Sequence, residues 1–118
     1  MKVVVCAPEV PCGAATVKAE EATGVTLQPV SEEQSVTDVL GKVTSGEADA
    51  GLVYVTDVTA AGEDVTGVPF PESSDIVNTY PIVALGDSEH SDLAAEFVEL
   101  VLGDTGQAIL AEAGFAKR

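Results

Sequence analysis

Lys2-Val3-Val4-Val5-Cys6 is a short β-branched run that stops at Ala7-Pro8-Glu9-Val10-Pro11 and passes into Cys12-Gly13 and an Ala-rich stretch, Ala14 to Ala22. β-Branched residues favour extended backbone, two prolines favour a loop, and small residues suit a helix lying close against a sheet. Thr23-Gly24 stop that helix. A buried strand feeding a helix through a tight loop is the unit from which layered α/β folds are built.

The unit recurs. Val25-Thr26-Leu27-Gln28-Pro29-Val30 alternates as a strand does, with Pro29 at its end or on an edge. Ser31-Glu32-Glu33-Gln34-Ser35 then supplies capping residues, and Val36, Val39, Leu40 and Val43 fall at i, i+3, i+4 and i+7, so a helix with one buried face is expected up to Gly46. Ala50-Gly51-Leu52-Val53-Tyr54-Val55 is a near-continuous apolar run, as in the middle of a parallel sheet. The expected fold is α/β, a three-layer α/β/α sandwich around a mostly parallel sheet.

Beyond a polar link at 59–62, Val65 to Phe70 reads as a further strand, followed by a turn-rich crossing through Pro69, Pro71, Ser73 and Ser74. Tyr80-Pro81-Ile82-Val83-Ala84-Leu85 is strand-like again. Leu93, Phe97, Leu100 and Val101 then make a helical stripe, and Ile109, Leu110 and Phe115 continue into a second short helix. At 118 residues the chain fits a single domain, 1–118, that buries roughly two thirds of its unfolded surface.

Twenty acidic residues against five basic ones give a formal charge of −15, which repels nucleic acid and anionic lipid; neither is an expected partner. No run approaches the roughly 20 apolar residues that span a bilayer, so no direct membrane insertion is expected. Met1 leads straight into the first strand without a signal-peptide pattern, so the chain as written is expected to stay in the cytoplasm. Cys6 and Cys12 lie six apart, and the chain's one histidine, His90, sits in a polar turn, which argues against a metal site. A disulfide and a pair of free thiols are both compatible with that spacing.

Catalytic signatures are missing: there is no GxGxxG, Walker A, GxSxG or HExxH sequence, and Cys12 as a nucleophile has no general base. An enzyme is not expected. Binding chemistry is better supplied. Helix starts at Pro11-Cys12-Gly13 and Ser35-Val36 follow strands, and unpaired N–H groups there, at the carboxyl ends of parallel strands, make a neutral cradle for an anion. Tyr54, near the end of the central strand, could donate its hydroxyl from the same edge.

Val-Cys-Ala-Pro-Glu-Val-Pro-Cys-Gly-Ala-Ala at 5–15, Ser-Val-Thr-Asp-Val-Leu-Gly-Lys-Val at 35–43 and Glu-Ala-Asp-Ala-Gly-Leu-Val-Tyr-Val-Thr-Asp at 47–57 resemble the molybdate-binding proteins of ABC importers, especially the actinobacterial type. Phe-Pro-Glu-Ser-Ser at 70–74, Tyr-Pro-Ile-Val-Ala at 80–84 and Ala-Gly-Phe at 113–115 extend the likeness over the whole chain. The resemblance implies a type II periplasmic-binding-protein fold, two-lobed, closing over a tetrahedral oxyanion. Residues 1–77 resemble its second lobe, and 78–118 the crossover strand and C-terminal helices that return to a first lobe without counterpart here. It implies molybdate or tungstate as ligand, no cofactor, a membrane permease as partner, and ligand contacts through the Cys12 and Val36 amides and the Tyr54 hydroxyl.

Fully deprotonated molybdate only accepts hydrogen bonds, so N–H and O–H donors without nearby carboxylates satisfy it, and protonated competitors fit less well. On this reading the chain carries a partial half-site. With the first lobe missing, the 93–101 stripe is expected to fold back on the lobe, drive homodimerisation, or stay exposed.

Overall fold

The computed structural model describes residues 1–116. It divides into two compact units, one of Met1–Asn78 and one beginning at Thr79.

The first unit is organised by β1 (Val3–Cys6), which pairs in parallel with β2 (Ser31–Glu33) on one edge and β3 (Ala50–Gly51) on the other, in the order β2-β1-β3. Val4 and Val5 point to opposite faces of a strand, yet they are only 1% and 4% exposed, so both faces of β1 are covered. The α/β class with a parallel sheet is as the sequence indicates. Helix α1 (Pro11–Thr23) and helix α2 (Val36–Thr44) both pack on β1. Val4, Cys6, Cys12, Val39 and Ala48 form the buried cluster, with Val10, Val36, Val43, Val53 and Tyr54 packed around it.

Local chemistry sets the helix ends. Pro11 opens α1, where its fixed φ suits a helix and its missing N–H costs nothing. Gly24 closes it at φ 69°, the left-handed conformation glycine adopts without strain, and donates its N–H to the Glu20 carbonyl at 2.8 Å. Ser35 caps α2 by accepting from the Asp38 N–H at 3.2 Å. In α2, Val39 is completely buried, at the centre of the expected stripe.

The second strand is displaced from its expected place. Residues 25–30 form no strand; pairing begins at Val30, whose N–H donates to the Val3 carbonyl at 2.8 Å, and runs through the polar triplet Ser31–Glu33. Pro29 has no N–H to give to a ladder, so the strand starts only once the proline is past. The third strand is shorter than the run 50–55. After the Leu52 N–H reaches the Val4 carbonyl at 3.4 Å the chain leaves the sheet, and Val55–Ala61 is a helix, α3, where a strand end and a polar link were expected. Its start is fixed by the Asp57 carboxylate, which accepts from the Tyr54 N–H at 2.9 Å. Residues 65–70 are likewise not a strand, and Pro71–Asp75 is a 3-10 helix packed against α1.

In the second unit, α4 (Ser91–Leu102) and α5 (Asp104–Glu112) pack on each other as a helical pair. Gly103 joins them, and Gly106 lets α5 pass so close to the last turn of α4 that a Cβ there would overlap the Leu100 and Val101 carbonyls. The Gln107 side chain donates to the Val101 carbonyl at 3.0 Å, satisfying one acceptor of that helix end. Tyr80 meets Phe115 edge to face, ring centroids 5.7 Å apart. Tyr80–Leu85 is not the expected crossover strand, because no described segment pairs with it. Of the expected apolar stripe, Leu93, Phe97 and Leu100 are more than half exposed, while Val101 is partly buried.

Candidate functional site

Because the three strands are parallel, their carboxyl ends lie along one edge of the sheet, and each is followed there by a helix. Cys12 is the second residue of α1, Val36 the first of α2, and Tyr54 the residue immediately before α3. Cys12 and Val36 thus fall in the first turns of their helices, where N–H groups have no intrahelical acceptor. All three residues touch the same buried cluster. Tyr54 reaches this edge as the cap of an unforeseen helix, not as the end of a long strand.

The β1–α1 connection is held on three sides. Cys6 and Cys12 form a disulfide with Cα atoms 5.6 Å apart, joining the end of β1 to the first turn of α1. The Ala7 N–H donates to the Glu33 carbonyl at 2.8 Å, tying the loop to the end of β2, and the Val10 N–H donates to the Ala7 carbonyl at 3.1 Å. Gly13 is buried against the Ala7 carbonyl, with no room for a Cβ. Thr16, buried as well, donates its hydroxyl to the Cys12 carbonyl at 3.1 Å.

Cys12 and Tyr54 also meet in a pocket of about 90 Å3 walled by Thr16 on α1 and by Phe70, Ser73 and Ile76 on the segment opposite. Val36 does not line it. The Tyr54 hydroxyl accepts a hydrogen bond from the Asn78 side-chain amide at 2.6 Å. Asn78 was not singled out in the sequence; it lies 24 residues from Tyr54 and carries no local signal. Asp57 could have been found, since an acid three residues after a helix cap is the capping-box position.

Electrostatically the three helix starts differ. No acidic residue sits in the first turn of α1, whereas Asp38 and Asp57 sit in those of α2 and α3. The expectation of donors free of carboxylates therefore holds within the first turn of α1 alone. Both aspartates are engaged at their own caps: Asp57 accepts the Tyr54 N–H, and Asp38 accepts the Ser35 hydroxyl at 2.8 Å. Beside α2, the Lys42 ammonium lies 2.7 Å from the Glu33 carboxylate. That bond, with another from Ser31, holds the Glu33 carboxyl below its ordinary value, and the Lys42–Glu33 bond raises Lys42 above its own. Among the described residues no cluster of three or more His, Cys, Asp or Glu is arranged to hold a metal ion.

A parallel sheet with helix starts gathered at one edge is the ligand-facing architecture of an α/β binding lobe. The chain belongs to the family of bacterial extracellular solute-binding proteins, whose family model matches residues 1–116. It is 53% identical, over 117 residues, to the molybdate-binding protein ModA of Mycobacterium bovis and to that of Mycobacterium tuberculosis, which bears out the resemblance read from the motifs. The match covers 99% of this chain and 45% of each relative, so the chain spans about half the length of the curated relatives it matches. No solved structure matches the chain.

Proposed function

We propose that this chain supplies one wall of an oxyanion-binding site for import, with molybdate or tungstate as ligand. The observation that carries the reading is the 53% identity to molybdate-binding proteins along nearly the whole chain. The geometry supports it: Cys12 and Val36 offer first-turn amides at the same sheet edge to which Tyr54 brings a hydroxyl. Dipoles at so short a range act within the roughly 8 Å over which salt screens the acidic surface. The role is binding, not catalysis, and needs no cofactor.

The family's description as extracellular supports a role outside the cytoplasm. The Cys6–Cys12 disulfide agrees with an oxidising compartment. The partner in import is the membrane permease of an ABC transporter.

Titration of the 15N-labelled chain with millimolar molybdate, with sulfate alongside, tests the reading. Shifts concentrated at the Cys12 and Val36 amides are expected, with affinity weaker than about 1 μM because one wall supplies a fraction of the contacts. Shifts absent from both amides would remove the ligand reading, and micromolar or tighter binding by a monomer would remove the one-wall reading.

A second reading, a self-associating module, draws on the exposed Leu93, Phe97 and Leu100 of α4. Sedimentation equilibrium separates the two, since that reading requires a mass that rises with concentration.

A further inference from the structure

Between the end of β1 and the first turn of α1 the chain runs through Pro8, Glu9 and Pro11, all exposed, so side-chain packing does little to hold this connection. The Cys6–Cys12 bridge crosses it. Cys6 is 2% exposed and lies in the central strand, in register with Glu33 of β2, so one end of the bridge is anchored in the sheet. The other end is Cys12, second residue of α1, whose backbone N–H is one of the donors proposed above for the ligand. Two further restraints act on this turn: the Thr16 hydroxyl donates to the Cys12 carbonyl at 3.1 Å, and Gly13 is pressed on the Ala7 carbonyl. The Thr16 bond stays within α1, and the Gly13 contact limits approach without preventing separation. Of the three, only the bridge keeps the Cys12 amide from moving away from the strand.

From this we infer that Cys6 is a positioning residue for oxyanion recognition: through its bridge to Cys12 it holds the first-turn amide of α1 where the ligand needs it. The inference rests on the Cys12 amide facing the ligand as proposed above. Cys6 itself is buried in the strand and acts only through the cross-link. Without the bridge the first turn samples positions in which the amide is misaimed, and apparent affinity falls by the fraction of the time that it is correctly placed. All of the effect of Cys6 must therefore pass through one sulfur–sulfur bond.

A double-mutant cycle followed by molybdate titration of the 15N-labelled chain tests it. Cys6→Ala is expected to weaken molybdate binding about tenfold, as for a first turn correctly placed about one time in ten. Cys12→Ala keeps the amide and loses only the sulfur, so it should weaken binding as much, and the two changes together should weaken it no more than either alone. Val5→Ala separates positioning from stability, because it removes buried volume from β1 and leaves the bridge intact. Its folded form should bind molybdate as the unmutated chain does.

15N relaxation of the Cys12 amide without ligand adds a readout that a merely structural bridge would not move. With the bridge closed its order parameter should match a rigid helix interior, about 0.85, and in Cys6→Ala it should fall below about 0.6 while the Val36 amide is unchanged. Should Cys6→Ala fail to fold, the value in the unmutated chain decides: a rigid Cys12 amide supports the role and a mobile one overturns it. Binding indifferent to Cys6→Ala, or a loss in Val5→Ala as large as that in Cys6→Ala, would also overturn the role of Cys6 and leave the oxyanion reading standing. If the unmutated chain shows no molybdate-dependent shift, the oxyanion reading fails and takes this role with it.

Discussion

Gly13 lies against the carbonyl of Ala7 so closely that a single added methyl group would overlap backbone atoms. The first turn of α1 is thereby pressed onto the end of β1, in the same place where the disulfide crosses. Gly13→Ala should destabilise the first unit by about 3 kcal/mol, since the obstacle is backbone and cannot turn aside as a side chain would. Urea denaturation followed by circular dichroism would measure it; a loss under about 1 kcal/mol would mean that the loop yields easily.

The Cys6–Cys12 bridge closes a loop with a separation of six residues. For so short a loop the chain-entropy estimate of its stabilisation is about 2 kcal/mol. Replacing both cysteines with alanine should lower the urea midpoint accordingly. Both sulfurs belong to nearly buried residues, so the native protein should resist mild reductant and yield to it in denaturant. Rapid reduction under native conditions would contradict that burial.

Glu33 and Lys42 make stability depend on pH in a defined direction. The carboxyl is held below its ordinary 4.5, chiefly by the Lys42 hydrogen bond and then by that from Ser31, so its contribution is present above 4.5 and is lost as pH falls through the lower folded-state value. The ammonium, raised above 10.5 by the same bond, contributes fully below 10.5 and loses its contribution as pH rises through its folded-state value. The stability gap between the unaltered chain and Glu33→Gln should be flat between these limits and close at both ends. A gap that widened in acid would contradict the pairing.

On α4, exposure decides the outcome of substitution. Leu93 and Phe97 are 63% and 59% exposed, so Leu93→Ser and Phe97→Ser should each change stability by no more than about 0.5 kcal/mol. Thermal or urea unfolding of the two variants would settle it, and a loss of 2 kcal/mol or more would mean that something covers this face.

The elements legible in the sequence are those whose signals are local. α2 announces itself through Ser35 and the valines at helical spacing, and α1 through Pro11, its small residues and Gly24. β2 was read too early because the valines at 25 and 30 outweighed Pro29, although a strand is made by its ladder and not by its side chains. α3 takes only Val55 from the apolar run 50–55 and reaches into the polar link at 59–62, so its one legible signal is Asp57, whose carboxylate caps its start. The stripe on α4 showed a helix correctly, but periodicity reports a face, not what lies against it. Of the candidate site, Cys12 and Val36 were reachable from strand-to-helix order and Tyr54 from its place near the end of an apolar run, and Asn78 was not, since it meets Tyr54 only through the fold.

The strand at the centre of the sheet precedes both of its neighbours in the chain. Its outer neighbour on one side arrives with Ser31, but the backbone bonds that Lys2 receives from Asp49 and Ala50 must wait for a stretch of 47 residues. Contacts that distant slow folding, because the chain must close a long loop before any bond rewards it. During that wait one edge of the most apolar strand stands open, with N–H and C=O groups ready to pair with any other extended chain. A nascent or proteolysed product ending before Asp49 should accordingly be far more prone to aggregate than one that reaches Gly51.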